Sequence, residues 1–190
     1  MTISNWEAAA GHYNRSMERV RWGIVGTGRM ASTIAAEIAA LREHGIDLIA
    51  VASRDADRAR EFATRFGARQ WVGDPAEFAT LPLDAVYVAT PHVQHAEQML
   101  ASLRAGQAVL CEKPFTLNAA QAEEVVNAAI ESRVFAMEAM WTRFLPAVVA
   151  LRELLAAGAI GPVRMITGGG AFIPDGSQPG YLLDPALGGG

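Results

Sequence analysis

Short apolar runs rich in β-branched residues alternate with amphipathic segments from Val20 onward. This alternation predicts βαβ units and a parallel sheet. The expected strands lie at residues 20–25, 46–52, 69–72, 84–89, 108–111 and 134–139. After them the pattern predicts a helix at 146–157, ending at Gly158, and a further strand at 162–171. The predicted fold class is therefore α/β: a Rossmann-type doubly wound parallel sheet, followed by the truncated start of an α+β second domain.

Apolar spacing predicts which face each of the first two helices turns toward the sheet. The residues of the first apolar stripe are Met30, Ile34, Ile38 and Leu41. The second helix is expected to bury Ala59, Phe62 and Phe66 and to end at Gly67, because glycine readily adopts the left-handed conformation that closes a helix.

Two further helices have recognisable first residues. Asp74 precedes Pro75, and an Asp side chain can cap free backbone N–H groups while proline at the first helical position loses no hydrogen bond. Asn118, followed by Gln121, resembles a capping box that opens a helix through Ile130.

Charge and composition exclude several classes of partner. The 190 residues carry a net charge of −4 without a run of like charges, so neither a nucleic acid nor a membrane surface is an expected partner. No stretch reaches the ~18 apolar residues of a membrane span. The N-terminus lacks the pattern of a secretory signal, and the single cysteine, Cys111, excludes an internal disulfide framework. A cytoplasmic location is the default expectation.

A glycine-rich motif, GTGRMA, follows the first predicted strand directly and opens the first helix. In this context the first glycine permits a tight turn, the second lets the backbone approach a pyrophosphate, and Ala31 keeps helix and strand close. The expected cofactor contacts are Gly26, Thr27, Gly28, Arg29 and Met30. The structural alternative is a plain strand-to-helix turn.

The second strand ends in Ser53 and Arg54, where an NAD-specific site usually carries an acidic residue for the ribose. A guanidinium can pair with the 2′-phosphate of NADP, and the Ser53 hydroxyl can donate a hydrogen bond to it. This favours NADP(H), with NAD(H) possible. In the alternative interpretation, Arg54 is a solvated surface residue and Asp55 caps the next helix or meets a ribose.

The fourth strand leads into Thr90, Pro91, His92 and His95. Ligands of an open parallel sheet bind beyond the carboxyl ends of its strands, so Thr90 and Pro91 are expected to border the cofactor. The two histidines are candidate cofactor contacts, and ordinary surface or capping roles remain equally open. Their spacing does not make a metal site, and no metal is predicted.

Glu112, Lys113 and Pro114 follow the fifth strand, beside the expected nicotinamide. A lysine there can hydrogen-bond a substrate oxygen and stabilise charge as hydride moves. Glu112 is a further expected contact at this position. The alternative is a solvent-exposed ion pair at the end of a strand.

Six motifs occur in the order found in the glucose-fructose oxidoreductase/inositol dehydrogenase (Gfo/Idh/MocA) family, which the chain resembles from about Val20 to Gly190. They are GTGRMA, SRD, ATPHVQH, CEKPFTLN, MEAMWTRFLP and DPALGGG. The SR dipeptide and the MEAMWTRF stretch look most like the branch that contains dimeric dihydrodiol dehydrogenase and NADP-dependent D-xylose dehydrogenase.

The resemblance implies a catalytic role for Lys113. It also implies that Trp141 and Arg143 approach the cofactor and the substrate; the alternative is that these two residues pack at a domain junction. It also implies the domain boundaries: an extension at 1–19, a nucleotide-binding domain at 20–140, and at 141–190 the incomplete start of a substrate and oligomerisation domain. Family members continue into a helix whose acidic residue and histidine or tyrosine work with the lysine, so activity of this chain alone is in question.

The combined expectation is an NADP(H)-dependent oxidoreductase that transfers hydride to or from a sugar, polyol or cyclic diol. The resemblance implies a homo-oligomer for the full-length protein. Two alternatives stay open: a lyase or glycosidase-like enzyme that oxidises its substrate transiently with tightly held NAD, and a nucleotide-binding sensor without turnover.

Overall fold

The computed structural model describes residues 19–169 and 184–187. Within these ranges one parallel sheet has six strands in the order β3-β2-β1-β4-β5-β6. The strands are β1 (Val20–Val25), β2 (Ile46–Ala52), β3 (Gln70–Val72), β4 (Ala85–Val88), β5 (Ala108–Cys111) and β6 (Ala136–Glu138). The six strands expected before residue 140 are confirmed, with ends that differ by two residues at most.

The helices cover both faces of this sheet. They are α1 (Arg29–Ala40), α2 (Ala56–Phe66), α3 (Pro75–Phe78), α4 (His95–Arg104), α5 (Ala119–Ser132) and α6 (Pro146–Ala156). Short 3₁₀ turns occur at Arg42–His44, His92–Gln94, Trp141–Phe144 and Pro185–Leu187. None of the helices in the described ranges combines the length and apolarity that crossing a membrane requires.

The predicted helix caps are present. Asp74 accepts a hydrogen bond from the Ala76 amide at 2.8 Å, and Asn118 accepts one from the Gln121 amide at 3.0 Å. The Gln121 side chain accepts in turn from the amide of Leu117. In a capping box it would accept from the amide of Asn118, one residue later. Both caps satisfy N–H groups that a helix leaves free in its first turn.

Strand order determines where a ligand can bind. All neighbouring strands pair in parallel, and the order reverses between β1 and β4. The doubly wound sheet is therefore confirmed, and the rule for open α/β sheets places the ligand crevice at this reversal, beyond the carboxyl ends of the strands.

The core lies on both faces of the sheet, which explains why the central strands read as nearly continuous apolar runs. On one face Phe78, Leu103 and Val125 pack against the strands. On the other, Ile38 and Phe62 pack against them. All four residues of β4 are buried.

The apolar stripe predicted for α1 is wrong in part. Ala31, Ala35 and Ile38 are buried, whereas Met30 and Leu41 are exposed. Small side chains permit a helix to approach a sheet closely. Ala31 and Ala35 are four residues apart, a helical spacing that also places them on one face of α1. For α2, Ala59 and Phe62 are buried as expected, Phe66 is half-buried against the same cluster, and the helix ends at Gly67 as predicted, with φ +72°.

The expected strand at 162–171 is not found in its described part, residues 162–169. A strand requires a hydrogen-bonded neighbour, and no described strand lies beside this segment. The preceding helix α6 matches its predicted bounds within one residue but buries none of its residues. Residues 1–18, 170–183 and 188–190 lie outside the described ranges, and with them most of the predicted extension and of the tail.

Ion pairs tie together the amino-terminal edge of the sheet, opposite the crevice. The Asp47 side chain, only 5% exposed, accepts two hydrogen bonds from Arg19, at 2.6 and 2.9 Å. Arg69 and Arg42 approach the same carboxylate at 3.1 and 3.6 Å. The bond from Arg19 is the main reason why the pKa of Asp47 lies below its usual value.

Candidate nucleotide-binding and active site

The turn after β1 is built around a glycine that no other residue can replace without strain. Gly26 has φ +108°, and its N–H donates to the Ala52 carbonyl at 2.9 Å. A Cβ on Gly26 would lie 2.5 Å from the carbonyl oxygen of Ala89. The turn therefore joins the ends of β1, β2 and β4 at the crevice.

The space around Gly28 is open, whereas the space around Gly26 is filled by the backbone of Ala89. Gly28 is the N-cap of α1, and a Cβ built on it would meet nothing within 4 Å. No side chain caps the helix and its first turn has no acidic residue, so the amides and the positive end of the helix dipole face this open space. Arg29 and Met30 are exposed at the same entrance. A pyrophosphate fits this arrangement in charge and in hydrogen bonding.

Ser53 and Arg54 lie at the end of β2, on the same edge. The Ser53 hydroxyl accepts from the amide of Asp55 at 3.3 Å, and one Asp55 carboxylate oxygen caps α2 by accepting from the amide of Arg58. Arg54 is exposed and forms no ion pair with the described residues. One oxygen of Asp55 is thus engaged in the cap, while the Arg54 guanidinium is available.

Thr90 and Pro91 border the crevice after β4, and both are half-buried. The hydroxyl of Thr90 is buried and has no hydrogen-bond partner among the described residues. Such an orphaned polar atom costs free energy unless something else supplies the partner. A ligand in the crevice could do so, which supports the fit of a dinucleotide to this edge.

Lys113 extends from the end of β5 and is exposed. It is the only lysine in the 190-residue sequence. None of the ion pairs among the described residues includes it, so the surface pair with Glu112 is not formed. The ammonium group is free to meet a ligand.

The carboxylate of Glu112 is buried and turned away from that ammonium group. It accepts hydrogen bonds from the hydroxyl of Tyr87 and, at 3.2 Å, from the backbone N–H of Lys113. Tyr87 is itself fully buried, and burial, together with the neighbouring carboxylate, raises the pKa of its hydroxyl. Glu112 therefore orients the lysine backbone and does not reach the crevice.

Two more side chains hold the segment that follows Lys113. Glu138, at the end of β6, accepts from the amide of Phe115 at 2.8 Å. The ring Nδ1 of His95 lies 2.8 Å from the carbonyl oxygen of Pro114. The Lys113–Pro114 peptide bond is cis. Three elements, β5, β6 and α4, thus fix the backbone that carries the lysine.

The two histidines differ in position. His92 is half-buried at the start of a 3₁₀ turn, with its ring edge-on to that of His95 at 5.6 Å. His95 is fully buried, and its Nε2 lies 2.9 Å from the Thr90 carbonyl oxygen. Both ring nitrogens of His95 face carbonyl groups. The ring could therefore contact a cofactor only if it lost one of these two contacts.

Trp141 and Arg143 lie in the 3₁₀ turn after β6. Both are exposed, and the described residues offer Trp141 no packing partner that buries it. The turn Pro185–Leu187 lies beside His92–Gln94 at the crevice. No group of three or more His, Cys, Asp or Glu side chains in the described part of the chain could hold a metal ion.

Sequence reasoning missed Tyr87 and Glu138. Tyr87 is the one residue of β4 whose side chain has a polar atom, and a buried tyrosine hydroxyl usually has a hydrogen-bond partner. Glu138 is the last residue of β6 and pairs in register with Cys111, so it lies at the ligand edge one residue before the level of Glu112.

Comparisons with known proteins agree with this geometry. The model of the oxidoreductase family with an NAD-binding Rossmann fold, Gfo/Idh/MocA, matches residues 20–140. Mouse trans-1,2-dihydrobenzene-1,2-diol dehydrogenase is 44% identical over 77% of this chain and 44% of its own length. D-xylose 1-dehydrogenase (NADP(+)) of Hypocrea jecorina is 42% identical over 76% of this chain and 40% of its own.

Solved structures show the same fold. A 3-ketoreductase mutant from Actinomadura kijaniata, in complex with TDP-benzene and NADP, has a TM-score of 0.66 and 36% identity, covering 77% of this chain and 46% of that one. Scyllo-inositol dehydrogenase from Lactobacillus casei, with NAD(H) and scyllo-inositol bound, has a TM-score of 0.69 and 25% identity, covering 75% and 42%. The chain spans less than half the length of the relatives it matches. With its strand order, its glycine-rich turn and its match over residues 20–140, the chain belongs to the Gfo/Idh/MocA family of oxidoreductases, whose Rossmann domain binds a nicotinamide dinucleotide.

Proposed function

We propose that this chain forms the cofactor-binding part of an NADP(H)-dependent oxidoreductase that transfers hydride to or from a sugar, a polyol or a cyclic diol. The single observation that carries this proposal is the unpaired, exposed ammonium group of Lys113 at the carboxyl edge of the sheet. The named activities of the diol and xylose dehydrogenases support the substrate class.

In this proposal the pyrophosphate lies on the amides at the start of α1, beside Gly28, and the hydroxyl of Thr90 finds its missing partner at the crevice. The 2′-phosphate meets Arg54 and Ser53 at the end of β2. When bound, the nicotinamide supplies or accepts the hydride. The residues 141–190 would begin a second domain, which is supported by the exposure of Trp141 and Arg143 and by the absence of any buried residue in α6.

Lys113 is the catalytic residue of the proposal. In the reducing direction its ammonium group hydrogen-bonds the substrate oxygen and protonates it, which leaves a neutral amine; in the oxidising direction that neutral amine accepts the hydroxyl proton and becomes the ammonium group again. Glu112 takes no proton in this scheme. Its carboxylate holds the backbone of Lys113 and is held in turn by Tyr87, so that the lysine is positioned before the substrate arrives.

The preference for NADP(H) is tested by titrating the protein with NADPH and NADH and following nicotinamide fluorescence. Arg54→Ala should weaken NADPH binding by about 1–3 kcal/mol, the scale of a charged hydrogen bond, and leave NADH binding nearly unchanged. Arg65→Ala is the matched control, because Arg65 lies in the last turn of the same helix that begins beside Arg54. Equal loss for both cofactors in Arg54→Ala would contradict the assignment.

A further inference from the structure

His95 occupies a position that neither a surface histidine nor a ligand contact explains. The side chain is completely buried at the first position of α4, and carbonyl oxygens lie at 2.8 Å from Nδ1 and 2.9 Å from Nε2. One carbonyl belongs to Pro114 after β5, and the other to Thr90 after β4. The ring therefore bridges the two loops that border the crevice.

Both contacts have acceptor atoms on the protein side, so the ring must act as a donor. A neutral imidazole donates one hydrogen bond, and an imidazolium donates two. Burial lowers the pKa of His95 and favours the neutral form, while the two carbonyls and the nearby Glu112 oppose that shift. In either form, a ring that holds the Pro114 carbonyl must carry its hydrogen on Nδ1.

We propose that His95 is a positioning residue for Lys113, acting through the hydrogen bond from Nδ1 to the Pro114 carbonyl. This inference rests on the proposed catalytic role of Lys113. Pro114 follows Lys113 directly, so anchoring its carbonyl fixes the backbone on one side of the lysine, while the carboxylate of Glu112 fixes the lysine amide itself. The contact of Nε2 with the Thr90 carbonyl becomes a second hydrogen bond only in the imidazolium form, which donates from both nitrogens.

Two substitutions separate the two contacts of the ring. The side-chain amide of asparagine reaches about as far as Nδ1 of histidine, and that of glutamine about as far as Nε2. His95→Asn can therefore keep the bond to Pro114, and His95→Gln can keep the bond to Thr90. A merely structural role of His95 predicts similar behaviour of both variants, whereas the positioning role predicts different behaviour.

The sequence supplies a reporter for this loop. Because Lys113 is the only lysine, protein labelled with ¹⁵N-lysine gives a single backbone amide signal, from the N–H that donates to Glu112. In His95→Gln this amide should exchange with solvent roughly three- to tenfold faster than in wild type, the scale expected when one hydrogen bond is lost. In His95→Asn it should exchange at close to the wild-type rate. Equal exchange in both variants would overturn the proposal.

Turnover gives a second readout, in a sugar and diol assay with saturating NADPH. His95→Gln should lower kcat more than His95→Asn does, because only His95→Gln loses the bond to the Pro114 carbonyl next to Lys113. This assay uses a full-length protein that includes the rest of the second domain, because the present chain spans less than half the length of its relatives. If that wild-type protein does not turn over, the proposed function fails, and the amide exchange still decides the positioning role.

A measurement on the wild-type protein removes any dependence on how the variants fold. A long-range ¹H–¹⁵N spectrum of the histidine rings reports which nitrogen carries hydrogen. The proposal requires a protonated Nδ1 on His95 at neutral pH. An unprotonated Nδ1 would leave two lone pairs facing each other at the Pro114 carbonyl, and that result would overturn the proposal.

Discussion

The two glycines of the nucleotide-binding turn should respond in opposite ways to the same substitution. Gly26→Ala places a methyl group 2.5 Å from the backbone oxygen of Ala89 and forces alanine to adopt φ +108°. Gly28→Ala places the same methyl group in open space, at an ordinary φ of −82°. One change therefore strains the folded chain, and the other only fills the space proposed for the pyrophosphate.

The magnitudes follow from these geometries. Gly26→Ala should lower the free energy of unfolding by about 2–4 kcal/mol, since a strained backbone conformation and an overpacked contact each cost about 1–3 kcal/mol. At Gly28, alanine caps a helix less well than glycine but restricts the unfolded chain, and the two effects nearly cancel to within about 0.5 kcal/mol. NADPH binding by Gly28→Ala should weaken at least about tenfold, because charge-assisted hydrogen bonds to the phosphates are lost.

Urea denaturation of each variant without cofactor measures stability, and nicotinamide fluorescence measures binding. The expected outcome for Gly28→Ala is wild-type stability with weakened binding of both NADPH and NADH. Wild-type affinity in Gly28→Ala would refute the placement of the phosphates. Wild-type stability in Gly26→Ala would refute the account of the turn.

Three further substitutions test the proposed role of Lys113, the ion pairs of Asp47 and the packing of β1. In a full-length enzyme, Lys113→Met should leave NADPH affinity within about threefold and lower turnover at least ~100-fold, the usual contribution of a positioned acid or base; near-normal turnover would contradict a catalytic role. Asp47→Asn should lower the free energy of unfolding by about 1–3 kcal/mol at neutral pH. Because the folded pKa of Asp47 is depressed, its contribution is present above the unfolded pKa of about 3.9 and is lost as the pH falls through the folded value, so the deficit of the variant should shrink in acid. Gly23→Ala should cost about 1–3 kcal/mol, since its Cβ would lie 2.4 Å from Phe78, and Phe78→Leu in the same chain should recover part of that loss.

The sheet could be predicted from sequence because its strands are covered on both faces. β2 and β4 consist almost entirely of buried residues, and such short apolar runs between helix signals have few other interpretations. The buried face of α1 was harder to predict, because Ala31 and Ala35 carry little apolar surface and their burial depends on how closely the helix meets the sheet.

The placement of the candidate site residues at the carboxyl edge of the sheet was predictable, but their hydrogen bonds were not. Glu112 and Lys113 are adjacent in sequence and of opposite charge, which suggests an ion pair. The structure turns Glu112 inward to Tyr87, a partner 25 residues away that the register of β4 and β5 brings close. His95 meets Pro114 across 19 residues in the same way. Contacts of this kind depend on tertiary packing, which local patterns do not contain.

The central claim is that a nicotinamide dinucleotide binds at the carboxyl edge of the sheet with its reactive end beside Lys113. Titrating ¹⁵N-labelled protein with NADPH and following the backbone amide signals tests it most directly. The largest shifts should occur at residues 26–30, 53–54, 90 and 113, while the signals of Asp84 and Gln107 at the opposite edge should stay unchanged. Shifts concentrated at the opposite edge, or binding that leaves the Lys113 signal unmoved, would contradict it.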